Sequence, residues 1–385
     1  MGRLPRPLLA ALLAFGLVAA TAACGGDDGG SDTSASDGST SEATSPTSPD
    51  DRPDCTAAPL AERAAAVLIV GIDDDTTADG ALAREVTSIG VGGVEVRQPN
   101  VVDAAQLRAL VDGLRAQSAR KLLVAADEEG GRVSRLRSVL GSTASARTLG
   151  NQPLDAIRAE AARRGQAMRE VGIDLVLGPV ADADGGPANG SIGDRSFSAD
   201  IVTAGERAGA FAAGLTDAGM LSSVKHFPGQ GGVADDSHAG TVTSPYTAAQ
   251  VEDAARAFLP AVEAGAGAVM MSHVTYEAVG PLPASVEPAM YELLRSLGFD
   301  GVAMTDALGM GAIVQRWPIP QAAVVALTAG ADVVLVNQGQ EAVGMRDAIV
   351  AAVTDGSLPE ARLDEAVGRV LRWRGEDPAS MVCPN

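Results

Sequence analysis

The chain has 385 residues, 46% of them hydrophobic but only 3% aromatic, with 45 glycines. That length supports one large core or two ordinary ones, built mainly from Ala, Val and Leu. The formal charge of −20 excludes a nucleic-acid partner, whose phosphates require a basic footprint.

Residues 1–23 carry Arg3 and Arg6 ahead of an uncharged apolar run from Leu8 to Ala23, the layout of a secretory signal. The run is interrupted by Gly16 and Thr21 and is short for a bilayer span, so it is predicted to be cleaved and to lie outside the fold. Thr21-Ala22-Ala23-Cys24 resembles the lipobox of bacterial lipoproteins, with Thr21 where Leu is usual. The resemblance implies acylation of Cys24 and residence at the outer face of a bacterial cell membrane. At about 0.8 kcal/mol per buried methylene, two or three acyl chains would hold a domain firmly there. Residues 24–54, rich in Gly, Ser, Asp, Thr and Pro, read as a disordered tether. The anchor is the one membrane contact expected. The folded domain is predicted over 55–385, with Cys55 and Cys383 at its two ends. In an oxidising compartment these two form a natural disulfide; two unpaired thiols are the alternative.

From residue 65 onward, apolar runs alternate with longer segments of helical period. The predicted strands are 66–72, 91–97, 122–126, 175–180, 221–224, 268–272, 301–305 and 332–336. Predicted helices between them include 103–120, 156–171, 247–264 and 320–329, several of them stopped by Gly. Eight strand–helix units over roughly 320 residues predict a single (β/α)8 TIM-type barrel. A doubly wound open sheet is the competitor, but no G-x-G-x-x-G turn opens a helix after the first strand. Polar residues also gather just past the strand ends, at Asp127 and Glu128, Asp182, Lys225 and His226, His273, and Asp306. In a barrel, that rim is where active sites are assembled.

In Asp127-Glu128-Glu129-Gly130-Gly131-Arg132-Val133-Ser134-Arg135-Leu136, acids sit beside guanidinium groups. Acceptors for vicinal hydroxyls with Arg and Lys donors opposite are what a sugar ring requires; a local ion-pair network on the rim is the plainer reading, particularly of Arg132. The run from Lys225 to His238 holds two of the three histidines and one of the two lysines, which points to chemistry, and His273 is expected to face the same place. In Asp236-Ser237-His238, within a Gly-rich loop expected to be mobile, a carboxylate beside an imidazole can fix its tautomer and raise its basicity. A Ser-His-Asp hydrolase is disfavoured because no G-x-S-x-G elbow is present. A metal site from His226, Asp236 and His238 lacks a recognised ligand spacing, so neither metal nor organic cofactor is implied. Asp306, after Gly301-Val302-Ala303-Met304-Thr305, reads as a nucleophile or as a helix N-cap.

Together these segments resemble glycoside hydrolase family 3 in its single-domain β-N-acetylglucosaminidase branch. They are Lys225-His226-Phe227-Pro228-Gly229 with Asp236-Ser237-His238, the Asp127–Leu136 stretch, and Thr305-Asp306-Ala307-Leu308 with Met310. The resemblance spans residues 60–375. It implies Asp306 as nucleophile, Asp236 and His238 as an acid/base dyad, and Asp127, Arg135, Lys225 and His226 as sugar ligands, joined by Arg195 in Gly193-Asp194-Arg195-Ser196-Phe197. Where the branch usually has G-H-G-D-T, this chain reads Gly229-Gln230-Gly231-Gly232-Val233.

The implied activity is retaining, exo-acting hydrolysis of terminal N-acetylglucosamine from peptidoglycan-derived fragments. The carbohydrate is then the partner, and nucleic acid is not. A β-glucosidase or β-xylosidase of the same family, a phosphorylase using phosphate as acceptor, and a lipid-anchored sugar-binding protein without activity are the alternatives.

Overall fold

Eight short parallel strands alternate with helices along residues 56–230, 233 and 236–383, the part of the chain that the computed structural model describes. The predicted leader and tether, with Cys24, and also Cys55 lie outside those residues. The strands are β1 Leu68–Gly71, β2 Gly93–Glu95, β3 Leu123–Ala126, β4 Leu175–Val176, β5 Leu221–Phe227, β6 Ala268–Met271, β7 Val302–Thr305 and β8 Val334–Val336. Their order is β8-β1-β2-β3-β4-β5-β6-β7. A parallel bridge between Met304 and Val333 joins β7 to the start of β8, so the sheet closes on itself as a barrel.

Every strand lies inside a predicted apolar run except β5, which continues to Phe227. The runs are continuous because both faces of these strands are covered. Ile69, Ala125, Leu175, Met270, Met304 and Leu335 fill the barrel interior, whereas Val70, Val124, Val269, Ala303 and Val334 pack outward against the helices.

Helix starts follow local chemistry. Asp103 accepts from the Gln106 N–H ahead of Ala104–Gln117, and Asp200 accepts from Thr203 ahead of Ile201–Asp217. Thr247 and Gln250 form a reciprocal capping box. The helix expected over 247–264 is in fact two, Ala248–Arg256 and Leu259–Glu263. Pro260 is the reason, since it lacks an N–H and its ring clashes with the carbonyl four residues back.

The β7–β8 seam relies on a buried side chain. Asp332 Oδ2 accepts from the Ala303 N–H at 3.0 Å and pairs with Arg295 at 2.7 Å, while Oδ1 pairs with Arg362 at 2.6 Å and Arg369 at 3.2 Å. One carboxylate thereby ties the last two strands to the helices Pro288–Ser296 and Glu360–Trp373. Where the described chain begins and ends, the Ala58 N–H donates to the Met381 carbonyl at 2.9 Å. Cys383 is disulfide-bonded; Cys55 lies outside the described residues. No described helix is long and apolar enough to cross a membrane.

Candidate active site

At the C-terminal end of the barrel the strands open into a cavity of about 440 Å³, within the usual range for small-molecule sites of roughly 300–1,000 Å³. Asp127, Arg135, Arg195, Lys225, His226, Asp236, His238 and Asp306 all line it. The structure thus brings together all eight residues that the sequence singled out for catalysis or sugar binding.

Directly after β3, the chain turns back as a hairpin of Glu128–Gly130 and Val133–Ser134. Gly130 and Gly131 have φ of +91° and +58°, and a Cβ on Gly130 would come within 2.3 Å of the Ala144 carbonyl. Glycine is therefore required at the turn. Asp127 and Glu129, two residues apart, both reach the cavity, as period-two alternation demands. Glu128 points the other way, buried, and accepts from Ser134 Oγ at 2.9 Å and the Leu136 N–H at 3.1 Å.

Lys225 stands between two acids, its Nζ 2.6 Å from Asp127 Oδ1 and 2.7 Å from Glu129 Oε1. Glu129 also takes both arms of the Arg195 fork, at 2.7 and 2.8 Å. Burial works against the charge of each group, but the mutual pairing outweighs it. Lys225 and Arg195 are held above their ordinary pKa values and Glu129 well below its own. Arg135 Nη2 lies 3.4 Å from Asp127 Oδ2. Arg195 is carried by the loop 184–198, where Asp184 accepts from the N–H groups of Gly186 and Gly193 and the Arg147 fork donates to three of the loop's carbonyls.

The β5–β6 register slips between Lys225 and Phe227. This irregularity lets the consecutive residues Lys225 and His226 both line the cavity, which regular alternation would forbid. Buried Asp182 holds His226, accepting from its Nδ1 at 2.7 Å and from its backbone N–H at 3.2 Å, and also accepts from the Gln230 N–H at 2.6 Å. His226 Nε2 is 3.2 Å from Arg195 Nη2.

Asp306 follows β7. Its Oδ1 accepts from the Ala307 N–H at 2.7 Å, and no described residue donates to Oδ2. It caps no helix, because the next one, Gly311–Val314, has Met310 at its N-cap. Burial pushes the Asp306 carboxyl up, but His226, His273, the Ala307 N–H and Lys225 together pull it further down, to a net value below the ordinary range. His273 does not line the cavity, contrary to expectation. It is fully buried, with Nδ1 2.7 Å from Ser285 Oγ and Nε2 donating to the Ala307 carbonyl at 2.9 Å, so it braces the segment that carries Asp306.

In the same cavity, His238 Nδ1 lies 2.7 Å from Asp236 Oδ1. An ionised carboxylate only accepts, so Nδ1 bears the hydrogen and Nε2 is left to exchange a proton. Burial raises the Asp236 carboxyl, but the His238 N–H, the ring and Arg195 outweigh it and the net shift is downward. Both side chains are more than half exposed. Their backbone is docked nonetheless: the Gly311 N–H donates to the His238 carbonyl and the Ala312 N–H to the Ser237 carbonyl, each at 3.1 Å. Among the described residues, no group of three or more His, Cys, Asp or Glu is arranged to hold a metal ion.

Sequence reasoning gave no part to Glu129, Glu95 or Asn337, which also line the cavity, as does Gln230, noted only as a departure from the branch's usual loop. For Glu129 a signal was present, namely its two-residue spacing from Asp127. For Arg132 the plainer reading applies: it pairs with Asp194 at 2.7 Å and donates to the carbonyls of Gly190, Ser191 and Ile192.

The glycosyl hydrolase family 3 N-terminal domain profile matches residues 62–373. Among curated proteins, the beta-hexosaminidase LpqI of Mycobacterium tuberculosis is 36% identical over 330 residues, covering 82% of this chain and 83% of that one. A glycosyl hydrolase of the same family from Mycobacterium smegmatis superposes with a TM-score of 0.75 at 36% identity, covering 85% of this chain and 98% of that one. The beta-N-acetylhexosaminidase of Beutenbergia cavernae superposes with a TM-score of 0.77 at 31% identity, over 83% and 99%.

Proposed function

This chain belongs to glycoside hydrolase family 3, and we propose that it is a retaining, exo-acting β-N-acetylglucosaminidase releasing terminal non-reducing N-acetylglucosamine from peptidoglycan-derived fragments. The observation that carries the reading is the meeting of Asp306, the Asp236–His238 pair and the Asp127–Lys225–Glu129–Arg195 network in one cavity. The relatives' names, beta-hexosaminidase and beta-N-acetylhexosaminidase, support the N-acetyl sugar over a β-glucoside.

In the first step Asp306 attacks the anomeric carbon through Oδ2. The bond to the leaving oxygen breaks, and that oxygen takes the proton from His238 Nε2. In the second step Nε2 recovers a proton from water, whose oxygen attacks the same carbon and releases Asp306. Retaining enzymes usually employ two carboxylates about 5 to 5.5 Å apart; here an imidazole held by a carboxylate takes the second place. Because Asp306 is kept below the ordinary carboxyl range, it is ionised and ready to attack at neutral pH. The Lys225 and Arg195 donors and the Asp127 acceptor suit ring hydroxyls. A neutral imidazole repels an anionic acceptor less than a carboxylate would, so phosphate is the second acceptor to test.

Export and anchoring through Cys24 form part of the same reading, supported by the sequence of residues 1–24. The test is release of 4-nitrophenol from the N-acetyl-β-glucosaminide and the β-glucoside. N-acetyl-specific turnover is expected, falling about a thousandfold or more in Asp306→Ala, a loss on the scale of removing a covalent nucleophile. Turnover on neither sugar would overturn the reading in favour of a binding role. Sugar 1-phosphate formed in phosphate buffer would make the enzyme a phosphorylase.

A further inference from the structure

The end of β2 is occupied by a carboxyl group, Glu95, where a strand end facing the barrel interior could as readily hold an apolar side chain. Glu95 is only 2% exposed, yet it lines the cavity. Its Oε2 is buried with no hydrogen-bond partner among the described residues. An orphaned buried carboxyl oxygen forfeits its hydration without return, and such groups call for an explanation. Asn337, just past β8, also lines the cavity, and its Oδ1 is likewise buried with no hydrogen-bond partner among the described residues.

Four charged groups act on Glu95. Asp127 comes from the turn after β3, Arg97 from beyond the end of its own strand, Arg135 from the hairpin and Lys225 from β5. Burial and then Asp127 push the Glu95 carboxyl up, the three cations pull it down by less, and it stands at about 8. At neutral pH it therefore keeps its proton, and a carboxylic acid both donates and accepts. A sugar hydroxyl does the same.

We propose that Glu95 is a specificity-determining residue of the cavity: its carboxyl hydrogen-bonds a hydroxyl of the terminal sugar beside Asp127, with Asn337 completing the polar wall on that side. The proposal rests on the reading of the cavity as a sugar subsite.

The experiment compares the wild-type enzyme with Glu95→Leu and Glu95→Gln on 4-nitrophenyl N-acetyl-β-glucosaminide and on its 3-, 4- and 6-deoxy analogues. Glu95→Leu is expected to raise KM about tenfold or more, the scale of one lost hydrogen bond, with a much smaller change in kcat. Glu95→Gln, which keeps a donor and an acceptor, should restore KM to within about threefold. Against one deoxy analogue the wild type and Glu95→Leu should become equivalent, identifying the hydroxyl that Glu95 reads. The wild-type KM should rise as pH climbs through about 8, while that of Glu95→Gln stays flat. That comparison decides the matter even if Glu95→Leu does not fold. An unchanged KM in Glu95→Leu, or superimposable pH profiles for wild type and Glu95→Gln, would overturn the role of Glu95 and leave the hydrolase reading standing. Absence of wild-type turnover on the parent substrate would overturn both.

Discussion

Glu129 serves two cations at once, and its removal would leave Lys225 and Arg195 facing each other with only Asp127 and Asp182 to compensate. Burial raises its carboxyl, the two cations outweigh burial, and the net displacement is strongly downward. A group depressed in this way contributes stability that is fully present above its unfolded value of about 4.3 and is lost as pH falls toward the folded value. Glu129→Gln should therefore destabilise the domain at pH 7 by about 3–5 kcal/mol, the usual cost of breaking a buried pair. The difference in melting temperature from wild type should narrow below about pH 4; a gap that stays constant down to pH 2 would contradict the assignment. Much of this site could be read from the sequence because Asp127, Lys225 and Asp306 are charged residues placed where apolar strands end. Glu95 could not, since Val94-Glu95-Val96 is indistinguishable from a strand turning one residue to solvent. His273 misled for the opposite reason: as a rare residue at a strand end it had every outward mark of a site residue, and only the packing shows it bonded to Ser285 and the Ala307 carbonyl.

Among the elements, β7 and β8 meet through an isolated bridge, with the Thr305 N–H donating to the Val333 carbonyl and the Asp332 and Val333 N–H groups to the Ala303 carbonyl. The adjacent β6–β7 pair is in register from Ala268 with Val302 to Met271 with Thr305, whereas β7 and β8 share the bridge of Met304 with Val333. Asp332 supplements that bridge from inside, so Asp332→Ala would strip the Ala303 N–H of its acceptor and leave Arg295, Arg362 and Arg369 without their shared counter-charge. A loss of about 3–5 kcal/mol is expected, read by chemical denaturation, while kcat of the remaining folded enzyme stays near wild type because Asp332 does not line the cavity. A variant as stable as wild type would show the network to be dispensable. The strand pattern itself was legible, since double-faced burial makes each strand an uninterrupted apolar run. Its lengths were less so. The run expected over 175–180 contributes only Leu175–Val176 to the ladder, because Gly178 and Pro179 follow and proline has no N–H to donate. The hairpin after β3 escaped altogether, as Glu-Glu-Gly-Gly-Arg-Val-Ser offers no alternation of apolar and polar residues.

For the molecule as a whole, a net charge of −20 sets how it meets substrates that carry carboxylates of their own. Self-repulsion of this kind is long-ranged at low salt and short-ranged at physiological salt, the Debye length shrinking from about 30 Å at 0.01 M to about 8 Å at 0.15 M. With an anionic peptide-bearing glycan, kcat/KM should rise severalfold over that interval, whereas a neutral aryl glycoside should show little change. Equal salt responses for the two would mean that the cations at the cavity mouth, Arg132 and Arg135, already cancel the wider field. The contact between Ala58 and Met381 bears on the molecule differently. Since the backbone meets itself there, the path through this domain is nearly a ring, and its eight strand–helix units have no obligatory first member. The order in which the ribosome delivers them can in principle be rotated, by splicing the two meeting points and opening any exposed turn, without displacing a single side chain around the cavity.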